Sequence, residues 1–189
     1  MKKTDYFELL EGLAKNALSS IKIACGSGGR QVEREEITAL RLDCDKKVCT
    51  LENALFEDFI TPIERDNIAA LAHSLWRVSD RAIELYIGYS QRVRGIENGE
   101  EALCITLAEK LLEATKMLCD IRSPEKMPDF CDFREILRKA FEAHNEYLSF
   151  INSGAVPRSN ARRAFAVARL RAELSRCFDE AVEVMLGCI

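Results

Sequence analysis

The two histidines of this 189-residue chain are its natural candidates for metal binding or for proton exchange near neutral pH. His73 lies seven residues before Asp80, two helical turns away. A metal ligand or a bond to Asp80 is conceivable there, and we favour a histidine satisfied on a helix flank. His144 falls on an apolar helical stripe, which predicts a hydrogen-bonded residue of the core or of a subunit interface. Neither histidine has a glutamate three residues before it, so the Glu-x-x-His pairs of di-iron bundles are missing.

The eight cysteines are the other candidate ligands and nucleophiles. None of them forms a Cys-x-x-Cys pair, and the closest two are Cys44 and Cys49. Most lie among apolar helical positions, so we predict reduced, structural thiols of a cytosolic protein rather than a zinc site. No serine–histidine–acid or cysteine–histidine arrangement can be argued from the sequence. We therefore expect no enzymatic activity, no catalytic residue and no cofactor-binding residue.

Composition narrows the class of protein. The formal net charge of −4 argues against a general nucleic-acid binder, which is usually basic. No apolar run approaches the ~20 residues that span a bilayer, and residues 1–8 lack the apolar core of a signal peptide. We expect a cytoplasmic protein that reaches a membrane only through a partner. The glycine-rich residues 26–30 lack the phosphate-loop pattern and are interpreted as a turn between helices.

The elements that must position these residues are all predicted to be helices. Helix breakers cluster at residues 26–29, 61–62, 95–99, 123–128 and 153–157. Each segment between the breaks repeats apolar residues at intervals of three and four, the period of an amphipathic helix. The sequence therefore predicts an all-α protein, in which six long amphipathic helices pack as an antiparallel bundle within one domain.

The break at residues 61–62 has the chemistry of a helix start. Thr61 is the predicted N-cap of the third helix, and Pro62 suits a first turn because its missing N–H is not needed there. Glu64 would complete a capping box. Two interpretations of this hinge are equally good: it has a direct functional role, or it is only a well-formed helix start.

The hinge also carries a family resemblance. Residues 59–71 read Phe-Ile-Thr-Pro-Ile-Glu-Arg-Asp-Asn-Ile-Ala-Ala-Leu. This run resembles the signature of the PhoU-like Pit-accessory family, with Asn67 in place of a common acid. Residues 43–45, Asp-Cys-Asp, fall without a gap where that family has Glu-Ala-Asp, and a second block matches at Leu75, Asp80, Ile83 and Glu84. Beyond Glu84 the resemblance rests on helix count and length.

The resemblance implies a fold and a function. The fold would be a PhoU-like bundle of two three-helix halves, roughly residues 1–95 and 98–189. The function would be that of a non-enzymatic accessory or regulatory protein of inorganic phosphate transport, acting by protein–protein contact. Its partner would be a phosphate permease or a signalling protein, with a homo-oligomer as an open possibility and no nucleic acid.

The resemblance also implies metal-binding positions. PhoU-type halves hold metal clusters with Glu/Asp-x-x-x-Asp motifs, whose carboxylates share a helix face and suit iron, manganese or magnesium. Here Arg41 replaces the partner of Asp45, Trp76 replaces that of Asp80, and the thiol of Cys177 replaces the carboxylate partner of Glu173. We therefore predict that Arg41 pairs with Asp45 or Asp80 where the family has metal. The surviving candidate ligands are Asp45, Asp80, Glu142, Glu146 and Glu173.

Two questions stay open from the sequence. In the fifth helix, helical phase does not choose between Glu142/Glu146 and Glu135/Lys139 as the motif pair. In the sixth, an excess of arginines is interpreted as a solvated face, with docking to an acidic partner, an anionic lipid surface or an oxyanion as alternatives. The alternatives to the regulator are a carboxylate metal-binding helical protein and an oligomeric helical scaffold without a phosphate role.

Overall fold

The computed structural model describes residues 5–26, 33–58, 61–89, 99–119, 130–154 and 159–187. All regular structure in these ranges is α-helical and they contain no strand. The prediction of an all-α bundle of six helices is thereby confirmed. The helices are α1 Tyr6–Cys25, α2 Arg34–Glu57, α3 Arg65–Gly88, α4 Gly99–Cys119, α5 Phe130–Asn152 and α6 Ser159–Gly187.

Four helices form the middle of the bundle and two lie outside it. α1 and α6 each pack against both α3 and α4. α2 covers α1 and α3, whereas α5 covers α4 and α6. Ile37 near the start of α2 packs on Ile83 near the end of α3, and Phe133 near the start of α5 stacks on Phe178 near the end of α6. Each outer helix therefore runs antiparallel to the helix that follows it.

The predicted apolar stripes form the core. In α3, the stripe residues from Ile68 to Leu85 are all buried. In α5, Phe133, Ala140, His144 and Ile151 are buried at the predicted spacing. Buried stripe residues from all six helices pack into one hydrophobic core.

The thiols pack largely as small hydrophobic groups. All six cysteines with described side chains are thiols, and four of them are buried: Cys25, Cys44, Cys104 and Cys177. Burial raises the pKa of the Cys104 and Cys177 thiols well above the usual range, which keeps them uncharged. These two thiols are therefore unsuited to act as nucleophiles.

The predicted cap of the third helix is wrong. α3 begins at Arg65, its N-cap residue is Glu64, and no side chain caps it. Thr61 instead donates its hydroxyl hydrogen bond to the carbonyl of Ile63 at 2.6 Å, so it is used within the turn. Phe59 and Ile60, the first residues of the hinge, lie outside the described residues.

A different set of bonds ties the end of α2 to the start of α3. Arg65 Nη1 donates to the carbonyl of Leu55 at 2.7 Å, and Nη2 donates to the carbonyl of Asp58. The Asp58 carboxylate accepts from the hydroxyl of Tyr6 at 2.7 Å. Burial and this carboxylate raise the pKa of Tyr6 to about 12. The arginine satisfies carbonyls that the end of a helix leaves without donors.

The described helices give no candidate for a membrane span, because none combines sufficient length with sufficient apolar character.

Replacing a core leucine should be costly, whereas the same change on the surface should not. Leu75 is fully buried in α3, so Leu75→Ala should lower the unfolding free energy by about 2–5 kcal/mol through lost burial and a residual cavity. Leu186 is exposed near the end of α6, and Leu186→Ala should change it by less than about 0.5 kcal/mol. Urea denaturation followed by circular dichroism measures both, and equal effects would contradict the assigned core.

Candidate functional site

Asp45 of α2 and Asp80 of α3, two of the predicted candidate metal ligands, lie where these two helices pack together. There Arg41 Nη2 forms an ion pair with Asp80 Oδ1. Asp45 Oδ1 accepts a hydrogen bond from Trp76 Nε1 at 2.7 Å. The two residues that depart from the motif thus bind the two carboxylates that survive. This confirms the predicted pairing of Arg41 with one of the two aspartates.

Asp80 needs this cation because the neighbouring helices partly remove it from water. Burial raises the pKa of Asp80, and the nearby carboxylates of Glu84 and Asp45 act in the same direction. The guanidinium of Arg41 opposes the shift by favouring the charged carboxylate. Arg41 therefore neutralises a local concentration of negative charge.

The remaining candidate ligands are not brought to this place. Glu142 and Glu146 both lie on the exposed face of α5, where Glu142 pairs with Arg138. The alternative pair, Glu135 and Lys139, forms an exposed ion pair at 2.9 Å, so both registers of that motif face solvent.

Glu173 lies elsewhere, on the side of α6 that faces α3. Its carboxylate is 3.6 Å from Arg77 Nε and pairs with Arg176 one turn on. Across the helical ranges that the structure describes, no three His, Cys, Asp or Glu side chains are grouped to hold a metal ion. The five candidate ligands therefore lie in three separate places: between α2 and α3, on the exposed face of α5, and between α6 and α3.

The most buried charges form a cluster that sequence analysis missed. Glu100, in the first turn of α4, has no exposed surface. Its Oε1 accepts from Arg171 Nε of α6 at 2.8 Å, and its Oε2 lies 2.9 Å from His144 Nδ1 of α5. Both oxygens of the carboxylate are thereby satisfied by donors from two other helices.

A second pair next to it connects four helix ends. Arg163 of α6 binds both carboxylate oxygens of Glu101 of α4, at 2.7 and 3.1 Å. The same guanidinium donates to the carbonyl of Ala24 in the last turn of α1 at 2.9 Å. It also donates to the carbonyl of Tyr89, the C-cap of α3, at 2.7 Å. We call Arg163, Glu101, Glu100, Arg171 and His144 the ionic lock.

Helix dipoles favour the placement of these charges. The carbonyl ends of α1 and α3 carry partial negative charge, which the Arg163 cation complements. Glu100 and Glu101 lie at the partially positive start of α4. Two glutamates and two arginines also balance within the cluster. Because each carboxylate oxygen already accepts a bond, the arrangement suits the joining of helices rather than the binding of a substrate.

The sequence contained a signal for the ionic lock. Arg163 shares its helical stripe with Val167, Leu170 and Leu174, at intervals of four and three, and all three are buried. Glu100 likewise shares its stripe with Cys104 and Leu107, which are also buried. A charge at an apolar stripe position indicates a buried ion pair when another helix carries the opposite charge at a stripe position.

The predictions for the histidines and for the arginines of α6 have different outcomes. His144 is the hydrogen-bonded core residue that was predicted, and His73 lies 2.8 Å from Glu52 Oε1 on the helix flank rather than beside Asp80. The solvated-face interpretation of α6 is wrong for Arg163 and Arg171, because their partners Glu101 and Glu100 are buried. It holds for Arg162, which is exposed.

Comparisons with known proteins give no further assignment: no protein-family model matches the chain, and no curated protein matches it significantly. The resemblance of the hinge to PhoU-like Pit-accessory proteins stays a prediction.

Removing Arg163 should strongly destabilise the fold. Arg163→Gln leaves the Glu101 carboxylate without its cation and two helix-end carbonyls without donors, so the unfolding free energy should fall by about 3–5 kcal/mol. Arg162→Gln, at the adjacent exposed position, should change it by less than about 0.5 kcal/mol. Denaturant titration of both variants measures the difference. An Arg163 variant as stable as the Arg162 variant would contradict the ionic lock.

Restoring carboxylates between α2 and α3 should create metal affinity. The double variant Arg41→Asp, Trp76→Asp removes a cation that repels metal ions and completes both carboxylate pairs, which hard cations prefer. We expect it to bind Mn²⁺ in isothermal titration calorimetry at least about tenfold more tightly than the wild type. Stoichiometric iron or manganese in the purified wild-type protein, measured by elemental analysis, would contradict the role assigned to Arg41.

Proposed function

We propose that this chain is a non-enzymatic accessory or regulatory protein of inorganic phosphate transport, which acts in the cytoplasm by contact with another protein. The hinge residues that resemble the PhoU-like Pit-accessory family support the link to phosphate, and the six-helix bundle agrees with the fold that the resemblance implies. The Arg41–Asp80 pair supports a mode of action that needs no metal between α2 and α3.

The proposal of a protein partner rests on five residues along one exposed face of α6. They recur at intervals of three and four, which places them on one line along the helix. All five are exposed, and Phe165 retains 56% of its surface although its ring lies edge-on to His144. We call Arg162, Phe165, Arg169, Ala172 and Arg176 the α6 arginine face.

The charge of this face defines the kind of partner. Among the described residues, Arg162 and Arg169 take part in no ion pair, and α6 has no acid before Glu173. Arginine side chains bind carboxylates in a planar, bidentate geometry, and an exposed aromatic ring adds apolar contact area. An acidic surface with an apolar centre is therefore the complementary partner.

Neighbouring acids favour a narrow protein partner over nucleic acid or membrane. Glu142 and Glu146 are exposed on the adjacent α5, and Asp179 continues the line of the α6 arginine face at its far end. A broad anionic surface would meet these carboxylates together with the arginines. A segment about one helix wide, on a permease or a signalling protein, would avoid them.

The proposal is tested by deleting the gene in its source organism and measuring phosphate uptake and its response to external phosphate. Deletion should change both, and wild-type protein should restore them. The double variant Arg162→Glu, Arg169→Glu should restore at most about a tenth of the response, since like charges across an interface cost several kcal/mol. The control pair Arg34→Glu, Lys116→Glu changes two exposed cations outside α6 and should restore it fully.

Two results would count against the proposal. Unchanged uptake and unchanged phosphate response after deletion would contradict the phosphate role. Full restoration by the Arg162→Glu, Arg169→Glu variant would contradict the use of the α6 arginine face. Neither arginine has a partner within the described helices, so we expect both replacements to leave the fold intact. Circular dichroism of the purified variants checks this.

A further inference from the structure

The outer helix α2 carries a line of exposed apolar side chains. Phe56 retains 90% of its surface and Leu42 retains 62%, and Cys49 between them is also exposed. The three residues follow one another at intervals of seven, so they lie on one side of the helix, about 10.5 Å apart. We call Leu42, Cys49 and Phe56 the α2 stripe.

The packing of the bundle leaves this side of α2 without cover. Within the described ranges, α2 makes its main contacts with α1 and α3, through residues such as Cys44, Leu51 and Leu55 on its other side. Arg41 and Glu52 lean onto α3, where they bind Asp80 and His73. The α2 stripe therefore faces away from both neighbouring helices, and a nearly bare phenylalanine in water is unfavourable.

We propose that the α2 stripe binds the α2 stripe of a second copy of this chain, with the two helices antiparallel and a two-fold axis beside Cys49. The equal spacing makes the stripe complementary to itself under that symmetry. Cys49 meets Cys49 of the second copy, and Leu42 meets Phe56 of the second copy in two equivalent contacts. A contact of this kind closes as a dimer and leaves no stripe open.

Charges beside the stripe fit the antiparallel arrangement. Lys46 and Glu57 are exposed along the same edge of the stripe, and neither is in an ion pair among the described residues. In the antiparallel dimer, Lys46 lies about 7.5 Å along the axis from Glu57 of the second copy. Both side chains lean towards each other because Cβ atoms tilt towards the start of their own helix. Two symmetry-related ion pairs result.

A parallel arrangement would lose this complementarity. Lys46 would then face Asp45 of the second copy, whose carboxylate is already engaged by Trp76. Leu42 would meet Leu42, and the two large Phe56 rings would meet each other. The antiparallel arrangement instead sets the larger ring against the smaller leucine at both ends. This inference does not depend on the role proposed in phosphate transport.

Cys49 provides a direct test of the axis. Helices that pack about 8–10 Å apart, with Cα atoms about 2.3 Å from each axis, bring facing Cα atoms to roughly 3.4–5.4 Å. The upper part of this range, above about 4.4 Å, permits a disulfide bond. Oxidation by copper(II)–phenanthroline removes two electrons and two protons from the two thiols and forms the S–S bond. We expect a covalent dimer of the wild-type chain on non-reducing gels.

Matched cysteine variants distinguish this crosslink from others. Cys131 is the other exposed cysteine among those described. The dimer should persist in Cys131→Ser and disappear in Cys49→Ser. A covalent dimer that survives Cys49→Ser, or a wild-type chain that does not crosslink through Cys49, would overturn the proposed axis.

Sedimentation equilibrium tests the contact without oxidation. One helix pair is a small interface, so we expect a weak dimer whose fraction rises with protein concentration. The double variant Leu42→Asp, Phe56→Asp should raise the dissociation constant at least about tenfold, since it sets carboxylates against the second copy. Leu186→Asp, at an exposed leucine of α6, should leave it unchanged.

The remaining outcomes are also decisive. A monomer at every concentration would overturn the proposal, and so would a dimer that the Leu42→Asp, Phe56→Asp variant leaves intact. The Arg162→Glu, Arg169→Glu variant should dimerise as the wild type does. Failure of the α2 dimer and failure of the α6 arginine face are therefore observed separately.

Discussion

The structure depends on the neutralisation of carboxylates that neighbouring helices cover. Glu100 and Glu101 stand at the start of α4, inside the bundle, where an unpaired charge would cost several kcal/mol. Arg171 and Arg163 of α6 supply the cations, and Arg163 also joins the ends of α1 and α3. One guanidinium thereby fixes the relative height of four helices. The apolar stripes form the core between the helices, and the ionic lock fixes how far each helix is shifted along its neighbours.

A carboxylate that neighbouring helices partly cover is also paired with a cation between α2 and α3. Asp80 is partly covered and lies near the carboxylates of Glu84 and Asp45. In this chain the neighbouring cation is the side chain of Arg41, which forms an ion pair with Asp80. Trp76 donates a hydrogen bond to the Asp45 carboxylate. The Arg41–Asp80 ion pair joins α2 to α3 through side chains of the chain itself. The α2 stripe and the α6 arginine face are the exposed surfaces that we propose contact other chains.

The sequence predicted the helices well because burial leaves a periodic trace. The stripe from Ile68 to Leu85 and the position of His144 follow from that period alone. The predicted N-cap at Thr61 is wrong because its hydroxyl bonds within the turn and α3 begins four residues later, at Arg65. Arg65 bonds to the end of α2, a contact that local sequence does not encode. The ionic lock was not predicted from the sequence, for a related reason. Arg163 lies on an apolar stripe, but only the packed bundle shows that Glu101 faces it across α4 and α6. Pairing across helices requires the tertiary fold, whereas periodicity does not.

Arg41 supplies the positive charge beside the partly covered Asp80 carboxylate between α2 and α3. An anomalous difference map from crystals soaked in manganese chloride tests it directly. We expect no manganese peak between Asp45 and Asp80, with the Arg41 guanidinium in contact with Asp80. A manganese ion bound by both aspartates, with Arg41 turned to solvent, would contradict it.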